Sequence, residues 1–144
     1  MKKILMMCAG VLAAISGAQD LAAYNKALNA YNAERYQEAA PLLYEVVNTT
    51  TDAEVRKKAE YYLGASLLRG GQPIASISYF TGIVRAGKAH PQYLKAVEGL
   101  VNVQEQLDDQ YLIPSFLNNN YSQDWATLPL EVLSRINYLI AGIS

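Results

Sequence analysis

The sequence predicts an all-α fold, and three observations carry that expectation. Apolar residues recur at three- and four-residue spacing along most of the chain. Short breaks rich in Gly, Pro, Asn or Asp separate these stretches. Nowhere is the two-residue alternation of a half-buried strand sustained.

The elements follow in order. "MKK" is a short basic start, "ILMMCAGVLAAISG" is apolar, and Ser16, Gly17 and Ala18 are small residues suited to a cleavage site. That pattern predicts a bacterial-style signal peptide over 1–18, cut after Ala18, and a periplasmic or secreted helical domain over 19–144. The apolar run is too short and weakly flanked for a good transmembrane helix. Next, "LAAYNKALNAYNAERY" places Leu21, Tyr24, Leu28 and Tyr31 at helical spacing. After a very short turn, "YQEAAPLLYEVV" carries Ala39, Leu42, Leu43, Val46 and Val47 as its stripe. "NTTTD" is polar punctuation, with Thr51 or Asp52 as the cap of the next helix. That helix, "AEVRKKAEYYLGASLLRGG", ends at Gly70 and Gly71.

"PIASISYFTGIVRAG" restarts with Pro73 in its first turn, where the missing N–H is harmless, and stops at Gly87. Its apolar set is Ile74, Ile77, Phe80, Ile83 and Val84. "PQYLKAVEGLVNVQEQL" is a further helix, with Val97, Leu100, Val101 and Leu107. "DDQYLIPSFL" reads as a shorter helix capped by Asp108 or Asp109, "NNNYSQDW" as a loop anchored by Trp125, and "PLEVLSRINYLIAGIS" as the last helix.

Composition narrows the function classes. The chain has 144 residues, half of them hydrophobic and 17% charged, which argues for one compact domain and against disorder. Removing Lys2 and Lys3 with the leader leaves 10 basic against 13 acidic residues, a net charge of −3. That is no nucleic-acid footprint. Cys8 is the only cysteine and lies inside the apolar leader, so the mature chain carries neither disulfide nor thiol nucleophile. Eleven tyrosines stand against two phenylalanines. Tyrosine suits half-buried seams between helices, with the ring dry and the hydroxyl wet.

The helix–turn–helix alternation invites a search for internal repeats. "YYLGASLLRGGQPIASISYF" aligns beneath "YNKALNAYNAERYQEAAPLL". Ala27, Leu28, Tyr31, Tyr36, Ala39 and Leu43 in the first correspond to Leu63, Gly64, Leu67, Gly71, Ser76 and Phe80 in the second. This volume pattern resembles the tetratricopeptide repeat (TPR), whose units of about 34 residues are antiparallel helix pairs with small residues at the crossing. The resemblance covers about 21–118 and the final helix. It implies an α-solenoid of about three and a half TPR-like helix-turn-helix units. Departures are the longer spacing from Ala39 to Ser76, Pro41 and Pro114 inside second helices, where they should kink or delay them, and a third unit, about 93–118, lacking the small residue at the crossing.

"NYLIAG" at the C-terminal end looks like "YYLGAS" of the second unit, the first helix of a pair without its second. Ile136, Leu139, Ile140 and Ile143 are therefore expected to stay partly exposed and form a candidate assembly interface. The helix could fold back onto the third unit, pair with another chain, or continue into a longer array.

The residues give little catalytic signal. His90 is the only histidine and reads as a loop residue or helix cap; Ser66, Ser76 and Ser134 have no local base. Asp108 and Asp109 read as caps. No metal, phosphate-loop or calcium-loop pattern occurs, so neither an enzyme nor a cofactor or metal is expected. "VRKK", the only basic run, reads as a solvated helix face. The resemblance implies instead a concave partner-binding groove on the first helices: Asn25, Asn29 and Asn32, then Lys58, Tyr61 and Arg69, then Lys95 and Asn102. The three asparagines form one helix stripe, able to bond an extended peptide backbone, with Lys or Arg to meet a carboxylate. The expected function is a non-enzymatic protein–protein interaction scaffold of the cell envelope; the alternative is a structural subunit that oligomerises through its last helix.

Overall fold

The computed structural model describes the backbone of residues 2–107, 112–121 and 128–141, and side chains from residue 17 onward except 112, 114, 119–121 and 140 within those ranges. Among the described residues all regular structure is helical, in seven helices: α1 (Lys2–Asn32), α2 (Tyr36–Thr49), α3 (Ala53–Arg69), α4 (Pro73–Ala86), α5 (Tyr93–Gln106), α6 (Leu112–Tyr121) and α7 (Leu130–Ala141). Each packs on its neighbour in sequence, and α1 also meets α3, α3 meets α5, and α5 meets α7. None of the helices, among the described residues, is long and apolar enough to cross a membrane.

Local chemistry sets the boundaries. Residues 2–18 and the first predicted helix form one 31-residue helix. A three-residue turn follows, with Glu34 at φ 60°. Asp52 caps α3 by accepting from the N–H groups of Glu54 and Val55. Gly71 and Gly87, at φ 87° and 86°, end α3 and α4 in a conformation other residues adopt poorly. Pro73 opens α4. Pro41 neither breaks α2 nor delays it: the helix starts at Tyr36 and runs through the proline to Thr49, without the bond a Pro41 N–H would give Gln37. Pro114 lies in the first turn of α6, where its missing N–H is harmless. Residues 118–121, expected in a loop, continue α6. The expected caps Asp108 and Asp109 and the expected anchor Trp125 lie outside the described residues.

Two apolar clusters meet at α3. The first joins α1, α2 and α3 through Tyr24, Ala27, Leu43, Val46, Ala59 and Leu63. The second runs from Ala65 and Leu68 through Phe80, Val97 and Leu100 to α6 and α7. Leu21 and Ile74, assigned to apolar stripes by spacing, instead face outward, Ile74 at 74% exposure.

A small residue, not anticipated from the sequence, stands where α5 packs on α4. A Cβ on Gly99 of α5 would fall 2.7 Å from the Phe80 ring, and one on Gly64 of α3 would fall 2.9 Å from it. The ring is thus pressed against helix backbone on both sides. Ala27, Gly64 and Gly99 follow one another at intervals of 37 and 35 residues.

The last helix takes the fold-back, one of its three expected courses, packing on α5 and α6. Leu139 is partly buried against the second cluster, as expected, whereas Ile136, expected to stay partly exposed, is 1% exposed. The exposed apolar residues of α7 are Leu130 and Tyr138, at 83% and 81%. Ile143 and the side chain of Ile140 lie outside the described residues.

Candidate functional site

Tyrosines form a seam across α1, α2 and α3. Tyr31 stands edge-on to Tyr36 (5.5 Å between centroids) and to Tyr62 (5.0 Å). Tyr62 meets Tyr61 at 5.3 Å, and Tyr61 reaches Phe80 at 6.0 Å. Edge-to-face rings gain from their quadrupoles beyond simple burial. Two cations lie on this seam. The Arg69 guanidinium sits 5.6 Å from the Tyr31 ring centre and 6.0 Å from that of Tyr36, and donates to the Tyr36 hydroxyl at 3.3 Å. The Lys95 ammonium sits 5.6 Å from the Tyr61 ring centre.

These surroundings fix the charge states. Burial pushes the Tyr61 phenol up to about 12, with Tyr31 and Tyr62 adding to it. Burial also raises Tyr31, partly opposed by Arg69. The hydrogen bond to Tyr36, followed by the nearby Tyr31, raises Arg69 further above its already high value. At neutral pH Tyr31 and Tyr61 therefore stay neutral phenols, with the Arg69 charge laid on the Tyr31 ring.

The predicted groove residues divide. Tyr61, Arg69 and Lys95 come together through Tyr31 and Tyr62. Lys58 is exposed and shares a helix stripe with Tyr62 and Arg69, at i, i+4 and i+11. Asn25, Asn29 and Asn32 are exposed on a flank of α1, roughly 100–160° around the helix from Tyr31. They do not join the seam; Tyr31 represents α1 there. Asn102 shares the stripe of Lys95 and accepts from Nη2 of Arg135 on α7. Arg135 also forks onto Glu105, with Nε to Oε1 at 3.0 Å and Nη2 to Oε2 at 2.9 Å. The last helix therefore occupies this end of the face.

Sequence reasoning missed Tyr36, Tyr62 and Arg135. The excess of tyrosine over phenylalanine was the available signal for the first two; Arg135 had none, its partners lying some 30 residues away.

His90 is buried between α4 and α5, where its Nδ1 accepts from the Gln92 N–H at 3.1 Å. Of the two roles its position suggested, His90 is a loop residue and does not cap α5, whose N-cap is Gln92. Its Nε2 lies 3.7 Å from the Glu60 carboxylate on α3. No group of three or more His, Cys, Asp or Glu among the described residues could hold a metal ion.

Comparison with protein-family models, curated proteins and solved structures finds no match to this chain.

Proposed function

We propose that the chain is an exported, non-enzymatic scaffold built as an α-solenoid of TPR-like units. It binds a peptide or partner domain carrying a carboxylate on the face shared by α1, α3 and α5. The observation that carries this reading is the pair Arg69 and Lys95 held over the tyrosine seam. The raised phenols of Tyr31 and Tyr61 and the raised guanidinium of Arg69 hold a ligand; they do not exchange protons with one at pH 7. A guanidinium already stacked on rings keeps donors free for a carboxylate and has less side-chain freedom to lose on binding.

Two features support the repeat and export parts of the reading. The contacts of α1 with α3 and α3 with α5 make a layer of alternate helices, as stacked helix pairs would. Cleavage after Ala18 would leave 19–32 of α1, a helix of the same 14-residue length as α2, α4 and α5. Asp20, just beyond that cut, accepts from Thr50 Oγ1 at 3.3 Å and the Thr51 N–H at 3.4 Å, tying the start of the mature chain to the α2–α3 loop.

The test is capture from periplasmic and membrane extract, with mass spectrometry of what is retained. Lys58→Glu with Lys95→Glu is expected to abolish capture while the chain stays folded, the thermal melt falling only by the lost contact of Lys95 with the Tyr61 ring. Unchanged capture would overturn the groove. Self-assembly is the second reading, favoured by exposed Leu130 and Tyr138 on α7. It predicts an oligomer that Tyr138→Ser dissolves; a wild-type monomer at high concentration removes it.

A further inference from the structure

A second concavity adjoins the cationic face at Tyr36 and opens between α2 and α4. Residues of α2 and α4 flank a cleft of about 640 Å³ with α3 beneath, a size typical of ligand sites. Tyr36 and Tyr44 from α2 and Tyr79 from α4 give it aromatic walls. Gln37 and Gln72 stand exposed at its margins. Leu63, Leu67 and Ser66 of α3 make its floor. None of the residues lining it is charged. The Ser66 hydroxyl is buried with no hydrogen-bond partner, an arrangement that costs free energy until an acceptor reaches it. Burial, and then the neighbouring Tyr44, push the Tyr79 phenol up, so it stays a donor at neutral pH.

We propose that this cleft binds a proline-rich segment in the polyproline II conformation. The lining decides the ligand class. A charged ligand would lose water here and gain no counter-charge. A sugar brings several hydroxyls per ring, each needing a partner when buried; the cleft has no carboxylate to accept from them, and the Tyr36 hydroxyl already accepts from Arg69. A polyproline II segment needs less. Its prolines carry no N–H, its carbonyls make no internal bonds, and its rings are apolar. Phenols and side-chain amides supply donors to the carbonyls, while tyrosine, Pro41 and leucine surfaces take the rings. The helix has little conformational freedom left to lose on docking.

The cleft is independent of the cationic face except at Tyr36, which touches both. The test therefore leaves Tyr36 intact. A blocked hexaproline peptide is titrated into the full chain and followed through the side-chain amide NMR signals of Gln37 and Gln72. Saturable shifts of both are expected. Tyr44→Ala, at a side chain 56% exposed and so dispensable to the fold, should weaken binding about tenfold or more. Gln72→Ala should weaken it less, and Lys95→Glu should leave it unchanged. The proposal is overturned if millimolar peptide moves neither signal, or if Tyr44→Ala binds like wild type. It is equally overturned if a tetrasaccharide of N-acetylglucosamine shifts these signals and the peptide does not. Loss of extract capture in Lys58→Glu with Lys95→Glu, beside intact hexaproline binding, would separate the two surfaces.

Discussion

Phe80 shows how one side chain sets what its neighbours can be. Its ring, 1% exposed, fills the space that Gly64 and Gly99 leave, and it cannot step aside for a methyl group on either. Gly99→Ala should therefore lower stability by about 1–2 kcal/mol, the overpacking cost less the gain in helix propensity. Gly82, in the same helix as Phe80, has nothing within 4 Å of where a Cβ would stand. Gly82→Ala should raise stability by up to about 1 kcal/mol. Urea midpoints of the two variants, moving in opposite directions, would check the pair. The tyrosines make a second prediction at this scale. A Tyr61 phenol at about 12 in the folded chain deprotonates more readily once unfolded, near 10. Its stabilising contribution is complete below pH 10 and is lost as pH rises toward 12, on the order of 2 kcal/mol. Thermal melts from pH 9 to 12 should fall accordingly, less steeply in Tyr61→Phe. The seam was foreshadowed by the tyrosine excess. The roles of the glycines were not, because Gly99 in "VEGLV" looks merely helix-weakening until Phe80, 19 residues earlier, is placed against it.

Helix ends were easier to read than helix faces. Asp52, Gly71, Pro73 and Gly87 act within a residue or two of themselves, so their chemistry is written locally. Faces depend on what arrives from elsewhere. Ile74 continued an apolar stripe by spacing yet is 74% exposed, and Ile136 was expected to stay partly exposed yet is buried where α7 folds back. Pro41 is the sharpest local exception, an interior helix proline that gives the Gln37 carbonyl no N–H. Pro41→Ala is expected to raise stability by about 1–3 kcal/mol in a thermal melt. Arg135 fastens α7 to α5 by a forked, charge-assisted pair. Arg135→Ala should cost about 1 kcal/mol, seen as faster amide exchange in α7 with α1–α4 unchanged.

At the scale of the whole molecule, α3 contributes to both apolar clusters, Leu63 to one and Leu68 to the other. Damage at this helix should therefore not stay local. Leu63→Ala is expected to cost about 2–5 kcal/mol and to shift circular dichroism and tyrosine fluorescence transitions together. Separate transitions would mean that the two halves unfold independently. The alternation of helices and tight turns was legible from periodicity and breakers. The seating of α7 was not, since nothing local distinguishes a helix that folds back from one that waits for another chain. The order of helix contacts has one more consequence. The principal pairings join helices one or two apart along the chain. A polypeptide delivered amino end first through a narrow channel can then complete each layer as it emerges, with no early strand or helix left waiting for a distant mate. Such a chain would tolerate slow delivery, and a stall part-way would leave a finished front portion, not a tangle of exposed apolar surface.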